Sequence, residues 1–213
     1  QGVAAAHPRL HDGGKLAQQF VARCMAAGIV DRLEIIEVHV HQRVLLVLPA
    51  HRIDQVRKPA LELAADLVPA RHVIGTTAEG VLAGDREYEA GPAVVVWLAR
   101  LPGAWLEPVS LEYMQTPEGG AFAGWPERLS GEWPANAALV LLADPFSFPV
   151  DAFVKRMEEE HPGVPIVGGM ASGGGQPGTN TLVAGPRTYD SGAVGVVVGG
   201  AFECGRSSRR AAA

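Results

Sequence analysis

The second half of this 213-residue chain repeats the order of its first half, and that repeat narrows the folds open to it more than any single motif. From Val44 the chain reads VLLVLP, a mixed stretch, HVIGTTAEG over 72–80, REYEAG over 86–91 and AVVVWLA. From Leu139 it reads LVLLADP, a mixed stretch, PIVGGMASG over 165–173, RTYDSG over 187–192 and AVGVVVGG. Gly75 and Gly168 stand 93 residues apart, whereas Tyr88 and Tyr189 stand 101 apart, so the second copy carries an insertion around 174–182. Solenoid units are roughly 20–50 residues long, so a spacing of this size predicts a duplicated α/β unit. Two related halves meet at a pseudo-symmetric cleft, where corresponding loops face each other. The expected fold is α/β, a mixed β-sheet built from two similar β-α-β-β halves and layered between helices. The expected division is a helical or irregular segment over 1–43, a domain over 44–200 with internal repeats 44–114 and 138–200, and an irregular tail over 201–213.

The helical and strand segments follow from periodicity. Leu16, Phe20, Cys24 and Ala27 recur at helical spacing, which makes Cys24 a core residue before a reactive one. Residues 33–40 alternate weakly, as a strand does. The runs 44–48 and 139–143 are short, continuous and apolar, the pattern of strands buried on both faces. A helix over 53–67 meets Pro59, which kinks it or starts its regular part. Residues 93–101 and 105–114 read as an antiparallel pair turning at Pro102-Gly103. Pro149 and Asp151 open a helix whose apolar face is Val150, Phe153, Val154 and Met157, and His161-Pro162-Gly163 closes it. Strands over 164–167, 181–184 and 193–198 complete the second copy. Between Gln115 and Ala137, glycines, three prolines, Trp125 and Trp133 mark either a linker stapled to the core or a lid.

Charge and composition remove several functions. A net charge of −5 lacks the clustered Lys and Arg of a nucleic-acid surface. No apolar run reaches the ~18–20 residues of a membrane span, so no membrane insertion is expected. Two cysteines build no disulfide framework, and the expected compartment is the cytoplasm. His39 and His41 share one side of a strand, but two imidazoles without a matching third ligand make no zinc site.

Strand ends hold the candidate chemistry, because ligands collect at the carboxyl ends of parallel strands in α/β sheets. Thr76, Thr77 and Glu79 follow one strand, and Asp144 and Ser147 follow another. Met170 and Ser172 sit in the glycine-rich run from Gly168 to Asn180. Short hydroxyl groups and a carboxylate orient a small polar ligand, although turn capping accounts for the same residue types. The glycine-rich run is no P-loop, since it lacks the lysine and the following helix. Nor is it a nucleophile elbow, because Met170 stands where glycine is required before Ser172. With no Ser/His/Asp or Cys/His set to assemble, no enzyme activity, catalytic residue, metal or cofactor is expected.

The stretches VIGTTAEGVLAG, REYEAGPAVVVWLARLPG, LVLLADPFSFPVDAF, PIVGGMASGGGQPGTNTL and RTYDSGAVGVVVGG resemble the N-terminal region of FIST sensory domains, named for F-box and intracellular signal transduction proteins. The resemblance spans about Val44 to Gly200. It implies a bacterial signalling module that senses a small ligand such as an amino acid. Its implied partners are that ligand and either a C-terminal FIST region or a downstream signalling protein. In F-box relatives the region resembles a substrate-recognition scaffold, which is the alternative function. Binding that raises stability with ligand concentration separates the first reading from the second.

After Ala193–Gly200 the composition changes abruptly to CGRSSRRAAA. Back-translated in GC-rich codons and read one base earlier, that stretch gives VRTVVSQGCR, a strand-like segment of the kind the family carries there, so a frameshift is expected. Deleting residues 204–213 should then leave the melting temperature unchanged, and restoring the shifted frame with its downstream region should raise it. A marked loss of stability on deletion would mark the tail as a packed native element.

Overall fold

A computed structural model describes residues 34–41, 71–83, 86–88, 93–99, 101, 103–117, 119–131, 133–134 and 136–200. The strand expected over 44–48, the helices expected over 15–27 and 53–67, both cysteines and the tail lie outside the described residues. In chain order the strands are β1 (Glu34–His41), β2 (Ile74–Thr76), β3 (Val81–Ala83), β4 (Arg86–Tyr88), β5 (Ala93–Ala99), β6 (Ala104–Thr116) and β7 (Gly119–Ala123). A single 3-10 turn (Glu127–Leu129) follows, then β8 (Ala138–Ala143), helix α1 (Val150–Glu160), β9 (Ile166–Met170), β10 (Leu182–Ala184), β11 (Arg187–Tyr189) and β12 (Ala193–Gly200).

The main sheet is mixed, with strand order β7-β6-β12-β8-β9. Only β8 and β9 run parallel, and α1 is their crossover; the other three pairs are antiparallel. A three-stranded antiparallel sheet, β11-β10-β2, lies on one face of it. Alternation along β8 and β12 sorts the contacts. Leu139, Leu141, Ala143, Ala193 and Val197 pack with Phe153 and Met157 of α1 on one side. Leu142, Val194 and Val196 pack with Ile74 and Leu182 on the other. The continuous apolar runs therefore arise because both faces are covered. Helices on both faces were expected; among the described residues a helix covers one face and a second sheet the other.

Helix α1 starts at Pro149, carries Asp151 in its first turn where the dipole favours a carboxylate, and ends where the His161 N–H reaches the Met157 carbonyl at 2.8 Å. Phe153 and Met157 are buried, four residues apart on one face. Val154 on the predicted apolar face is 43% exposed, because it borders a cleft between α1 and β9.

The glycine- and proline-rich stretch after β6 is pinned, not loose. Its first part is β7, which turns back on β6 from Thr116↔Gly119 to Glu112↔Ala123. Phe122 meets Phe153 edge-on at 5.1 Å, Trp125 stacks on Phe153 at 6.1 Å, and Trp133 contacts Trp125 at 5.5 Å. The Trp133 indole N–H donates to the Leu129 carbonyl at 3.3 Å. The pairing expected between 93–101 and 105–114 does not occur. Instead β5 runs parallel to β1, while β6 gives its two edges to β7 and β12.

Two hairpins share one internal register. Val81↔Tyr88 to Ala83↔Arg86 in β3–β4 matches Leu182↔Tyr189 to Ala184↔Arg187 in β10–β11. Gly75 and Gly168 sit in different sheets, opposite Val183 and Leu141 respectively.

Phe153 is the common contact of these layers, 1% exposed and touching Phe122, Trp125 and Phe148. Phe153→Ala should lower unfolding free energy in urea by about 3–5 kcal/mol. A loss below ~1 kcal/mol would mean the aromatic cluster is not the seam between helix and sheet.

Candidate functional site

The loops after β2, β8 and β9 meet at one end of the two stacked sheets, and each is held by backbone hydrogen bonds to residues just beyond the ends of neighbouring strands. The backbone N–H of Thr77 donates to the Thr181 carbonyl at 3.0 Å, and the N–H of Thr181 returns a bond to the Thr77 hydroxyl at 3.0 Å. The Ser172 N–H donates to the Thr77 carbonyl at 3.2 Å, and the Ser172 hydroxyl accepts from the Glu79 N–H at 3.0 Å. A Cβ on Gly173 would lie 2.6 Å from the Thr77 Cβ, so glycine is what lets these two loops close on each other.

Beneath this junction lies a buried carboxylate. Asp144 follows β8 and is 0% exposed. Its Oδ1 accepts from the Asn180 amide at 2.9 Å. Its Oδ2 accepts from the Ser147 hydroxyl at 2.6 Å and from the Phe146 N–H at 3.2 Å. Asn180, itself 1% exposed, uses its Oδ1 to accept from the Gly174 N–H at 2.7 Å. The Ser147 hydroxyl accepts from the Gly192 N–H at 2.8 Å, and the Asp144 N–H donates to the Gly192 carbonyl at 2.8 Å. One carboxylate thus ties the end of β8 to the glycine-rich loop and to the start of β12. Burying it is tolerable because both oxygens are satisfied.

This geometry sorts the seven sequence-selected residues into three groups. Asp144 and Ser147 belong to the buried network, Thr76 and Thr77 are also buried, and their polar atoms bond within the protein. Glu79 and Ser172 are exposed beside each other. Met170 stands apart: it packs against the helix-side cluster and lines the α1–β9 cleft. Sequence reasoning passed over Asn180 and Thr181, which complete the junction. The available signal was Asn180 itself, a side chain able to accept and donate at the end of a glycine-rich loop.

Chemically, the buried polar groups of this arrangement are committed to one another. Ser147 donates to the Asp144 carboxylate, which also accepts from the Phe146 N–H and the Asn180 amide. Among the described residues, no group of three His, Cys, Asp or Glu side chains converges on a metal position. At the foot of β2, burial holds the His72 pKa below 6.5, Arg71 adds to the effect and Glu107 opposes it. The folded state therefore disfavours the proton; the penalty is absent above 6.5 and grows as pH falls below it.

The FIST N domain model matches residues 42–208. An uncharacterised protein of Mycobacterium tuberculosis (strain ATCC 25618 / H37Rv) is 36% identical over 137 residues, which is 64% of this chain and 34% of that protein. An uncharacterised protein of Mycobacterium bovis is 32% identical over 136 residues, again 64% of this chain and 34% of the relative. The chain thus spans about a third of the length of the curated relatives it matches. No solved structure matches. Among the described residues, no helix is long and apolar enough to cross a membrane.

Two substitutions separate the floor of the junction from its rim. Asp144→Ala leaves the Asn180 amide and the Ser147 hydroxyl without their acceptor, and should cost at least ~2 kcal/mol of stability. Ser172→Ala, at an exposed position, should cost less than about 1 kcal/mol. Equal losses in chemical denaturation would contradict this division. For the histidine, His72→Gln should reduce the fall in stability as pH drops below 6.5, a result opposite in sign to loss of an ion pair.

Proposed function

The chain belongs to the FIST N-domain family, a family of signal-transduction sensory domains, and from that membership we propose that it is a cytoplasmic module that binds a small zwitterion such as an amino acid, without catalysis. The observation that carries the reading is the exposed pair Glu79 and Ser172 above a hydrogen-bonded floor. Glu79 offers a carboxylate to the ligand's ammonium group. Ser172, whose oxygen accepts the Glu79 N–H, offers its proton to the ligand's carboxylate. Thr76, Thr77, Asp144 and Ser147 hold this rim in place from below and act as positioning residues. Such preorganisation matters, since a rim that had to order on binding would forfeit affinity. Met170, on the helix side of the sheet, takes no part in this pair.

The same reading treats residues 44–200 as one domain of two related units, 44–114 and 138–200. The shared register of the β3–β4 and β10–β11 hairpins supports this, as does the meeting of the loops after β2 and β9 at one junction. The signalling partner is then a C-terminal FIST region or a separate output protein.

Thermal melts against each of the twenty standard amino acids test the proposal, because a ligand at a hundred times its Kd adds about 2.7 kcal/mol. For a responding amino acid, calorimetric titration should show Glu79→Gln and Ser172→Ala each weakening binding by about tenfold, or ~1.4 kcal/mol. The reading fails if no amino acid raises the melting temperature, or if both variants bind like the parent protein. Capture of a defined protein partner without amino-acid binding would favour the F-box type of scaffold instead.

A further inference from the structure

The outer edge of β9 is unusually bare for an edge strand. It ends the main sheet, and among the described residues only β8 pairs with it. Val167 is 62% exposed, and Gly168 and Gly169 beside it are exposed as well. Edge strands are normally blunted by charge, proline or a covering segment, and among the described residues none of these protects Val167–Gly169. Next to the strand, the α1–β9 cleft of about 400 Å³ is lined by Val150, Val154, Met157, Ile166, Gly168 and Met170.

We propose that this edge and cleft are the docking seat of the chain's own β3–β4 hairpin, which adds antiparallel to β9 with Val81 opposite Gly169, Leu82 opposite Gly168 and Ala83 opposite Val167. The inference rests on the two-unit reading, and three further observations support it. The first is the reciprocal pairing already present. Strand β2 of the first unit carries hairpin β10–β11 of the second, with Leu182↔Thr76, Val183↔Gly75 and Ala184↔Ile74. Shifting each partner by its own repeat spacing gives the β3–β9 register.

The second is hydrogen-bond direction. The Leu139 N–H reaches the Pro165 carbonyl and the Ala171 N–H reaches the Ala143 carbonyl. By alternation, Val167 and Gly169 turn their N–H groups toward β8, and Ile166, Gly168 and Met170 turn theirs outward. In a hairpin with a two-residue loop, Ala83↔Arg86 is the bonded pair beside the loop, which leaves Leu82 directed to the other side. The proposed register thus brings two outward-directed residues, Leu82 and Gly168, into one bonded pair.

The third is reach. The Glu79 N–H bonds the Ser172 hydroxyl, so the chain enters β3 within two residues of where β9 ends. Position 82 then stands over Gly168, on the side of the cleft. Its counterpart Val183, opposite Gly75, is 1% exposed.

Disulfide trapping tests the register. Ala83 and Val167 form a non-bonded antiparallel pair in it, with a Cα separation near ~4.5 Å, within disulfide range. Ala83→Cys with Val167→Cys, in full-length protein with Cys24→Ser and Cys204→Ser, should close within one chain under mild oxidation. Glu87→Cys with Val167→Cys, two strands apart, should not. Failure of the first pair to close, or closure only between two chains, overturns the proposal. In the parent protein the Gly168 amide should exchange with deuterium about a hundredfold more slowly than in an unstructured peptide, and Leu82→Asp should remove that protection; rapid exchange in the parent protein also overturns it. Cross-strand nuclear Overhauser contacts at Val81–Tyr88 and Leu182–Tyr189 check the shared hairpin register separately, so the two-unit reading survives or falls on its own measurement.

Discussion

Strand β12 has neither a free edge nor a free face, and the rest of the described structure is arranged around that constraint. Its backbone bonds β6 on one side and β8 on the other. Its side chains alternate between the helix-side cluster and the second sheet. A polar side chain anywhere along Ala193–Val197 would be desolvated without a partner, a cost of several kcal/mol against a total stability of only about 5–15 kcal/mol. The chain meets this with alanine, valine and glycine. Through Gly192, just before the strand, the same rigid centre holds Ser147 and Asp144. The floor of the candidate site is therefore an extension of the sheet's middle, not a loop feature.

That attachment explains how polar groups are distributed across the junction. Those nearest the sheet are buried and consume their hydrogen-bonding capacity on one another, which makes them a scaffold. Those one layer out, Glu79 and Ser172, are exposed and tied to the scaffold by backbone atoms. Glu79 is fixed through its N–H and Ser172 through its N–H and its oxygen, so the carboxylate of the first and the hydroxyl proton of the second remain for other work. A fixed main chain with uncommitted side chains is a common basis for recognition of a small polar molecule.

The fold was legible in the sequence where burial imposes a pattern. Runs such as ALVLLA and AVGVVVGG are apolar throughout because two layers press on them, and the apolar stripe with Pro149 and Asp151 marked α1 within a residue of its start. Strands β7 and β11 were not legible. GGAFA has too few residues for a period to show, and RTY is a three-residue return of a hairpin whose stability comes from its neighbours. The pairing of β5 was misread because adjacency in sequence favours a hairpin, while tertiary contacts gave β6 two other partners. At the site, strand-end position was legible from Thr77, Asp144 and Ser172. Which of them are sealed inside was not, since burial of a polar residue depends on partners as distant as Asn180, 36 positions from Asp144.

The placement of β12 also sets an order of assembly. The β8–α1–β9 unit and the β6–β7 hairpin each close over a short stretch of chain, so they can form early and independently. They become one sheet only when β12, the last described strand in the chain, inserts between β6 and β8, making contacts with β6 across about ninety residues of sequence. Loop-closure entropy delays such a step until both flanking units already exist. Until then two half-sheets present facing unpaired edges, and the main sheet is complete only when a strand of valine and glycine fills the gap between them.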